Sequence, residues 1–441
     1  MQILNKYKFA LSAHANIGAS YALMVPIILQ FMSMDPRVQK FALNANHMIV
    51  SAIMYPFGSA FGSVCTVLFV DRIRRRSVCM YISLCSAIIS LIIIVPVDFA
   101  YFSILRFLQG VLAQILANTS CIWLSEITSV NHVHYLFGQS ALSTVFASLV
   151  VSVMQLFCYK NNYWGVLFVL NVFCSLMIFF CSVITNDSYK IARVSPLKVL
   201  FKEQNRSLQA LIAFQSISQA LCLLPICVFE MIRVFPGKYA AVRAFGILSA
   251  CGMVTAPMVM LVKANVNETA AIIASVIGFA LFIAKTQCQK SELVIAGFVF
   301  TAIGYMLGAG SQQWLIYGTI YPPCLKTKLI GLSNALYNVV SVVITVIYVK
   351  FQQVRVYIFS FAIPLLIISE YMTQRCMATV STLELGILNQ QRLIQDITSL
   401  PNSVKITTNQ VHNETRHNTV LCEQQCNPQK SASQIIDTKL E

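Results

Sequence analysis

Residues 71–76 hold four arginines and one aspartate, and a long apolar run lies on each side of them. The first run extends from Met48 to Val70 and the second from Val78 to Val95. A short basic loop between two apolar segments is typical of the cytoplasmic side of membrane proteins, where Lys and Arg are retained. The pattern therefore predicts a polytopic membrane protein.

The composition supports the same class. Hydrophobic residues make up 57% of the chain and charged residues 11%, whereas soluble domains carry about 25% charged residues. A membrane-spanning helix needs about 20 apolar residues, and the sequence predicts an all-α protein with twelve such spans. Numbered one to twelve in chain order, they are 9–31, 47–70, 77–95, 101–124, 136–158, 163–185, 207–232, 240–262, 269–285, 292–318, 329–350 and 354–373.

The charge and the cysteines have ordinary explanations in a membrane protein. A net charge of +15 would suggest nucleic acid as a partner in a soluble chain, but here it is explained by basic loops beside anionic lipid. The 15 cysteines are scattered without metal or disulfide spacing. No motif predicts a cofactor, a metal site, an enzyme's nucleophile or a protein partner.

The loop charges predict the orientation and the division into domains. Basic residues in the first half favour a cytoplasmic N-terminus; those of the second half do not, and the C-terminal tail restores the balance. We expect an N-terminal bundle of six helices (1–185), a cytoplasmic linker (186–206), a C-terminal bundle of six (207–375) and a polar, disordered cytoplasmic tail (376–441). The default location is the plasma membrane.

The first basic loop has a recognisable pattern. Gly62 stands nine residues before Asp71, and Arg72, Arg75 and Arg76 follow. Span four then carries Arg106-Phe107-Leu108-Gln109-Gly110, and the stretch that follows this motif ends with Ser125-Glu126-Ile127, just after the span.

These two motifs, in this order, resemble the sugar porter family of the major facilitator superfamily. The resemblance implies the major facilitator fold, with twelve helices in two bundles of six. Val67 and Arg74 stand where the family has glycines. In the second half, Gln215-Ser216-Ile217-Ser218 resembles the family's Q-Q-L-S, and Trp314 with Thr319-Ile320-Tyr321-Pro322 resembles its W…E-I-F-P. The family's next Asn is Leu221 here, and its Glu is Thr319.

A sugar site needs side chains that both donate and accept hydrogen bonds, beside an aromatic face. Gln215 and Gln219 lie four residues apart on span seven, so they share a helix face, and Asn334 and Asn338 repeat this spacing on span eleven. With Trp314 they are the candidate substrate-binding residues, and the resemblance leaves the span-eleven register open. The alternative is that these side chains only join neighbouring helices.

A second set of charged residues is interpreted as a gate. Charge pairs between helix ends can hold the two bundles together on the cytoplasmic side and separate when the bundles rock. The alternative is that the arginines only determine topology. The candidate gate and structural charges are Asp71, Arg72, Arg75, Arg76, Arg106 and Glu126.

Arg106 bears on the driving force. The resemblance implies that proton-coupled members place an Asp on span one to work with this arginine. Here the corresponding residue is Ala22, and residues 9–31 contain no carboxylate. We therefore expect a facilitative uniporter for a hexose or related sugar. Two alternatives stay open: a sugar sensor or receptor on the same fold, and a porter for another small polar solute.

Overall fold

The structure is a computed structural model that describes most of the chain between residues 45 and 398. The stretches outside the description are 1–44, 96–97, 128–129, 159–163, 185–199, 202–205, 236–238, 262–263, 289, 309–315, 317–319, 322–324, 352–354 and 399–441. Span one therefore lies outside the described residues.

Every regular element within the described residues is a helix, and helices occupy the predicted spans two to twelve. Helices satisfy their own backbone groups, which a lipid environment requires. Eight of the described helical segments are long and apolar enough to cross a membrane. In chain order the helices are Ala45–Cys65 with the π-helical turn Thr66–Val70 (span two), Arg75–Ile92 (three), Phe99–Ile127 (four), Val130–Cys158 (five), the 3₁₀ turn Trp164–Phe168 with Val169–Ile184 (six), Arg206–Leu221 and Leu224–Val234 (seven), Ala240–Leu261 (eight), Ala264–Cys288 (nine), Glu292–Leu307 (ten), Lys326–Lys350 (eleven) and Arg355–Thr398 (twelve).

Span twelve is longer than its apolar segment. Its helix continues beyond residue 373 to Thr398, so the first part of the predicted polar tail is helical. The division of the chain into two domains, a linker and a tail remains a prediction.

Spans two and four pack at backbone distance, and glycines make this possible. A Cβ added to Gly110 would lie 2.2 Å from the Tyr55 carbonyl oxygen, and one added to Gly62 would lie 2.4 Å from the Val111 carbonyl oxygen. Small residues at helix crossings are a main source of association in lipid. The two motif glycines are therefore explained by helix packing.

Contacts between spans two and eleven and between spans five and eight help to join the N-terminal and C-terminal bundles. Span eleven approaches span two so closely that a Cβ on Gly331 would lie 2.9 Å from the Ser63 carbonyl oxygen. Span eight meets span five where the Ser249 hydroxyl donates to the Val145 carbonyl at 3.2 Å. These contacts fix where the two bundles face each other.

Two apolar clusters at different depths each contain residues of both bundles. The cluster at the predicted outer end includes Leu105 of span four and Leu221 of span seven. The cluster at the predicted cytoplasmic end includes Ile122 of span four and Ile330 of span eleven. On the outside, large apolar side chains such as Phe157 (77% exposed) face away from the protein, as expected of a surface in contact with lipid.

Candidate functional site

Buried amide side chains from three spans lie between the two apolar clusters, and we call them the polar layer. Asn118, Gln215 and Asn334 stand 9, 9 and 8 residues from the ends of their helices at the predicted cytoplasmic side, which places each of them about 12–14 Å along its helix. They therefore share one depth. The layer comprises Gln114 and Asn118 (span four), Gln215 and Gln219 (span seven), and Asn334 and Asn338 (span eleven), all less than 9% exposed.

Gln215 has unused hydrogen-bonding capacity. The Tyr321 hydroxyl donates to its Oε1 at 3.0 Å, and Tyr321 is itself buried. The Gln215 Nε2 is buried and makes no hydrogen bond to the described residues. A buried donor left without a partner costs about 1–3 kcal/mol, so a solute oxygen at this position would be stabilising.

Gln219 lies one turn further along span seven, where its side chain is close to the Tyr305 hydroxyl of span ten. Span seven breaks soon afterwards at Leu223, which has a φ of 52°. A left-handed backbone is strained for leucine, and such strain is often found at functional sites. Pro225, the second residue of the next helix, is compatible with a helix start there.

Asn334 and Asn338 belong to one hydrogen-bonded chain. The Asn334 Nδ2 donates to Asn118 Oδ1 at 2.8 Å, and the Asn338 Nδ2 donates to the Asn334 carbonyl at 2.8 Å. On the other side, the Gln114 Nε2 donates to Asn118 Oδ1 at 2.9 Å. Both span-eleven asparagines are thus in the polar layer, and Asn334 reaches the N-terminal bundle.

Gln114, Asn118 and Tyr321 were not predicted as site residues from the sequence. Gln114 and Asn118 have the same four-residue spacing that singled out Gln215 and Gln219, so the signal was present. Trp314 and Thr319 lie outside the described residues, and the role of Trp314 remains a prediction.

Arg106 is completely buried within the N-terminal bundle. Its guanidinium donates to Gln109 Oε1 and lies 5.1 Å from the centre of the Tyr55 ring. Gln109 in turn donates to the Ser90 hydroxyl at 3.4 Å. Arg106 therefore ties spans two, three and four together within their bundle.

Of the predicted gate residues, Asp71 reaches the other bundle. Its Oδ2 lies 3.9 Å from the Lys328 Nζ of span eleven, and both side chains are about nine-tenths buried. Arg76 instead donates to the last carbonyls of span six, at 3.0 Å to Ser182 and 2.7 Å to Val183. Arg72 is exposed and Arg75 is half-buried. The Glu126 side chain lies outside the description.

A second charged cluster lies at the predicted outer end. Glu230 of span seven accepts hydrogen bonds from Arg233 at 2.7 Å and from the Tyr348 hydroxyl of span eleven. The Lys285 Nζ of span nine is 3.9 Å away, and the Arg355 guanidinium of span twelve lies 4.9 Å from the Tyr348 ring centre. The outer half of span seven is thereby joined to three other spans.

Glu370 is a buried carboxyl that the sequence analysis did not consider, because that analysis searched only span one for an acid. It lies on span twelve and is 5% exposed. The Ser218 hydroxyl, next to Gln219, donates to its Oε2. Its Oε1 makes no hydrogen bond to the described residues.

The geometry suits reversible binding of a neutral solute. Side-chain amides and tyrosine hydroxyls lie near the middle of the protein's depth, and charged pairs lie toward both ends. Among the described side chains, no group of three or more His, Cys, Asp or Glu could hold a metal ion.

Comparison with known proteins agrees with this architecture. The proton:xylose symporter XylE of E. coli, bound to 6-bromo-6-deoxy-D-glucose, superimposes with a TM-score of 0.67 at 11% identity, covering 86% of this chain and 95% of that one. A bacterial homologue of the iron transporter ferroportin gives 0.64 at 9% identity, covering 86% and 100%. The human organic anion transporter MFSD10 gives 0.64 at 11%, covering 85% and 100%.

This chain has the major facilitator fold. Residues 15–195 also match the family described as sugar (and other) transporter, which confirms the resemblance to sugar porters. Among curated protein sequences, none matches the chain. The protein is a multi-pass membrane protein, and its fold is that of carriers with diverse named substrates.

Proposed function

We propose that this protein carries a hexose or related sugar across a membrane by alternating access, as a facilitative uniporter. The observation that carries the proposal is the polar layer: on spans four, seven and eleven, buried amides lie at one depth with apolar clusters on both sides. Neutral amides match neutral hydroxyls, because both groups donate and accept.

The proposed cycle uses the contacts between the bundles. The sugar binds among the amides of the polar layer, and the two bundles then rock about it. Opening toward the cytoplasm separates span two from span eleven and breaks the Asp71–Lys328 pair. The facilitative part of the proposal rests on residues 9–31, which contain no carboxylate to carry a proton.

The orientation and the location remain part of the proposal. Both termini are placed in the cytoplasm, and the plasma membrane is the default location. The linker at 186–206 and the tail from 376 would then be cytoplasmic, while the outer cluster around Glu230 would face the exterior.

Gln215→Ala tests the site within an uptake assay. Initial uptake of labelled glucose is measured in cells that lack their own transporters, and uptake by the unmodified protein should be saturable. Loss of one amide contact to the sugar should raise KM about 3- to 10-fold, the range expected for one neutral hydrogen bond. The matched control is Gln374→Ala, which removes a half-buried amide outside the polar layer.

Three results separate the proposal from its alternatives. No saturable uptake of any sugar by the unmodified protein contradicts the proposal. Sugar binding without uptake favours the sensor. Uptake of a different polar solute, which sugars do not compete with, favours a porter for that solute.

Glu370 favours a second candidate, a proton-coupled carrier. Among the described residues, no basic side chain forms an ion pair with this buried carboxyl. An unpaired buried charge is very costly, so the group is expected to be neutral in this conformation, and acids within spans often serve as proton sites. Its hydrogen bond to Ser218 would link the protonation of Glu370 to span seven, which carries Gln215 and Gln219.

A protonophore distinguishes the two candidates. The uniporter predicts that initial sugar uptake at an external pH of about 5.5, near the range where carboxyl groups titrate, is unchanged by the protonophore. The coupled carrier predicts that the protonophore causes a large fall in the uptake of the unmodified protein and has no effect on the uptake of Glu370→Gln. Glu292→Gln, at an exposed position, is the control. A protonophore-sensitive wild type with an insensitive Glu370→Gln variant would replace the uniporter by the coupled carrier.

A further inference from the structure

The bond between Asn118 and Asn334 is a direct polar contact between the two bundles. Asn118 lies on span four of the N-terminal bundle and Asn334 on span eleven of the C-terminal bundle, 216 residues further along the chain. They are 0% and 3% exposed. This contact is at the depth of Gln215, in the polar layer.

Asn118 is held in place by its own bundle. Its Oδ1 accepts from Gln114 at 2.9 Å as well as from Asn334 at 2.8 Å, and its Nδ2 donates to the Thr66 hydroxyl of span two at 3.2 Å. Gln114 and Thr66 therefore orient the Asn118 amide toward span eleven.

This contact must break once in each transport cycle. Between it and the predicted cytoplasmic end lie the close approach of Gly331 to Ser63 and the Asp71–Lys328 pair. A passage to that side can open only if span eleven moves away from spans two and four. The movement separates the two asparagine amides, so the Asn334 Nδ2 loses this acceptor and Asn118 Oδ1 keeps only the hydrogen bond from Gln114.

A solute with adjacent hydroxyl groups can replace the broken bond. One hydroxyl can accept from the Asn334 amide while the same or the next one donates to Asn118 Oδ1. An apolar solute would replace neither of these two interactions, and a solute with a single acceptor would replace only the one with Asn334, so both would bind less favourably.

On the basis of the proposed function, we propose that Asn118 is the substrate-contacting residue of the N-terminal bundle. Its bond to Asn334 is the contact that a pair of sugar hydroxyls replaces as the carrier opens toward the cytoplasm. The substrate class is thereby narrowed to neutral molecules with hydroxyl groups, which can both donate and accept hydrogen bonds, and selection among sugars involves both bundles.

Asn118→Ala tests this assignment with glucose and its series of mono-deoxy analogues. The unmodified protein should show a KM about 3- to 10-fold higher for the analogue that lacks the contacting hydroxyl. In Asn118→Ala the KM for glucose should rise by a similar factor, and the analogue should no longer differ from glucose. Asn118→Ser, which keeps a hydroxyl, should restore part of the discrimination and serves as the second variant if the alanine protein does not fold.

The control is Ser120→Ala, on the same helix, because among the described residues the Ser120 hydroxyl donates to the Ala117 carbonyl of its own helix. It should keep the wild-type KM and the wild-type discrimination. If Asn118→Ala or the folded Asn118→Ser keeps the full discrimination, or if only kcat changes, the assignment is overturned. An effect of Gln215→Ala in the same assay would show that the proposed function nevertheless holds, whereas absence of sugar uptake by the unmodified protein would refute both.

Discussion

Replacing Gly110 by alanine is expected to reduce the yield of folded protein at least about tenfold, and replacing it by valine should leave none. A Cβ at this position would lie 2.2 Å from the Tyr55 carbonyl oxygen and 3.0 Å from the Ser59 backbone nitrogen. Both are backbone atoms, so no side-chain rotation can relieve the clash. Overpacking typically costs about 1–3 kcal/mol and occasionally more. The cost at Gly110 is expected to be at the high end, because the clash can be relieved only by moving the two helices apart.

The measurement is size-exclusion chromatography of a fluorescently tagged protein extracted from membranes. Gly246→Ala is the matched control within a span, because the nearest atom to its added Cβ is a side-chain carbon of Leu149 at 3.9 Å. A sharp, wild-type peak for Gly110→Val would mean that spans two and four do not pack as described.

The second large effect is expected at the pair between the bundles. Asp71→Lys should lower sugar uptake at least about tenfold, because it places two cations side by side where the Asp71 Oδ2 and the Lys328 Nζ are now 3.9 Å apart. Breaking a buried ion pair costs about 3–5 kcal/mol, and repulsion between like charges would add to this. The conformation closed on the cytoplasmic side should be lost.

The reversed pair, Asp71→Lys with Lys328→Asp, is expected to recover a substantial part of the uptake at equal surface expression. Arg72→Ala is the control, since Arg72 is the adjacent loop residue and is exposed. If the reversed pair is no more active than Asp71→Lys alone, Asp71 acts through a neighbour other than Lys328.

Much of the fold could be predicted from the sequence, because the bilayer imposes a local rule. Each span needs its own apolar segment, and spans two to twelve were recognisable on that basis. The break in span seven was harder to predict from the sequence, because it depends on Leu223 in a left-handed conformation that leucine rarely adopts. Pro225 was the available signal, but proline is also tolerated inside membrane helices.

The site was predictable in part: residues that share one helix could be found from their spacing, but contacts between distant parts of the sequence could not. Gln215, Gln219, Asn334 and Asn338 were chosen by their spacing within one helix, and the structure places all four in the polar layer. Their partners could not be derived that way: the bond from Asn334 crosses 216 residues of sequence. Lys328 was likewise missed as the partner of Asp71, because it lies on a distant span.

Glu370 was missed for another reason. It was visible as an acid within span twelve, but the search for a proton site followed the family pattern to span one. A carboxyl in any span merits the same attention, because ionisable groups within spans are costly to bury and usually functional.

The central claim is that the protein carries a neutral sugar without a coupled ion, and the most direct test uses purified protein in liposomes. Entry of labelled glucose and the luminal pH are recorded together after an inward sugar gradient is applied. The account predicts saturable glucose entry, reduced in Gln215→Ala, with no change in luminal pH beyond that of protein-free liposomes. Acidification that follows the sugar, or entry no faster than in protein-free liposomes, would contradict it.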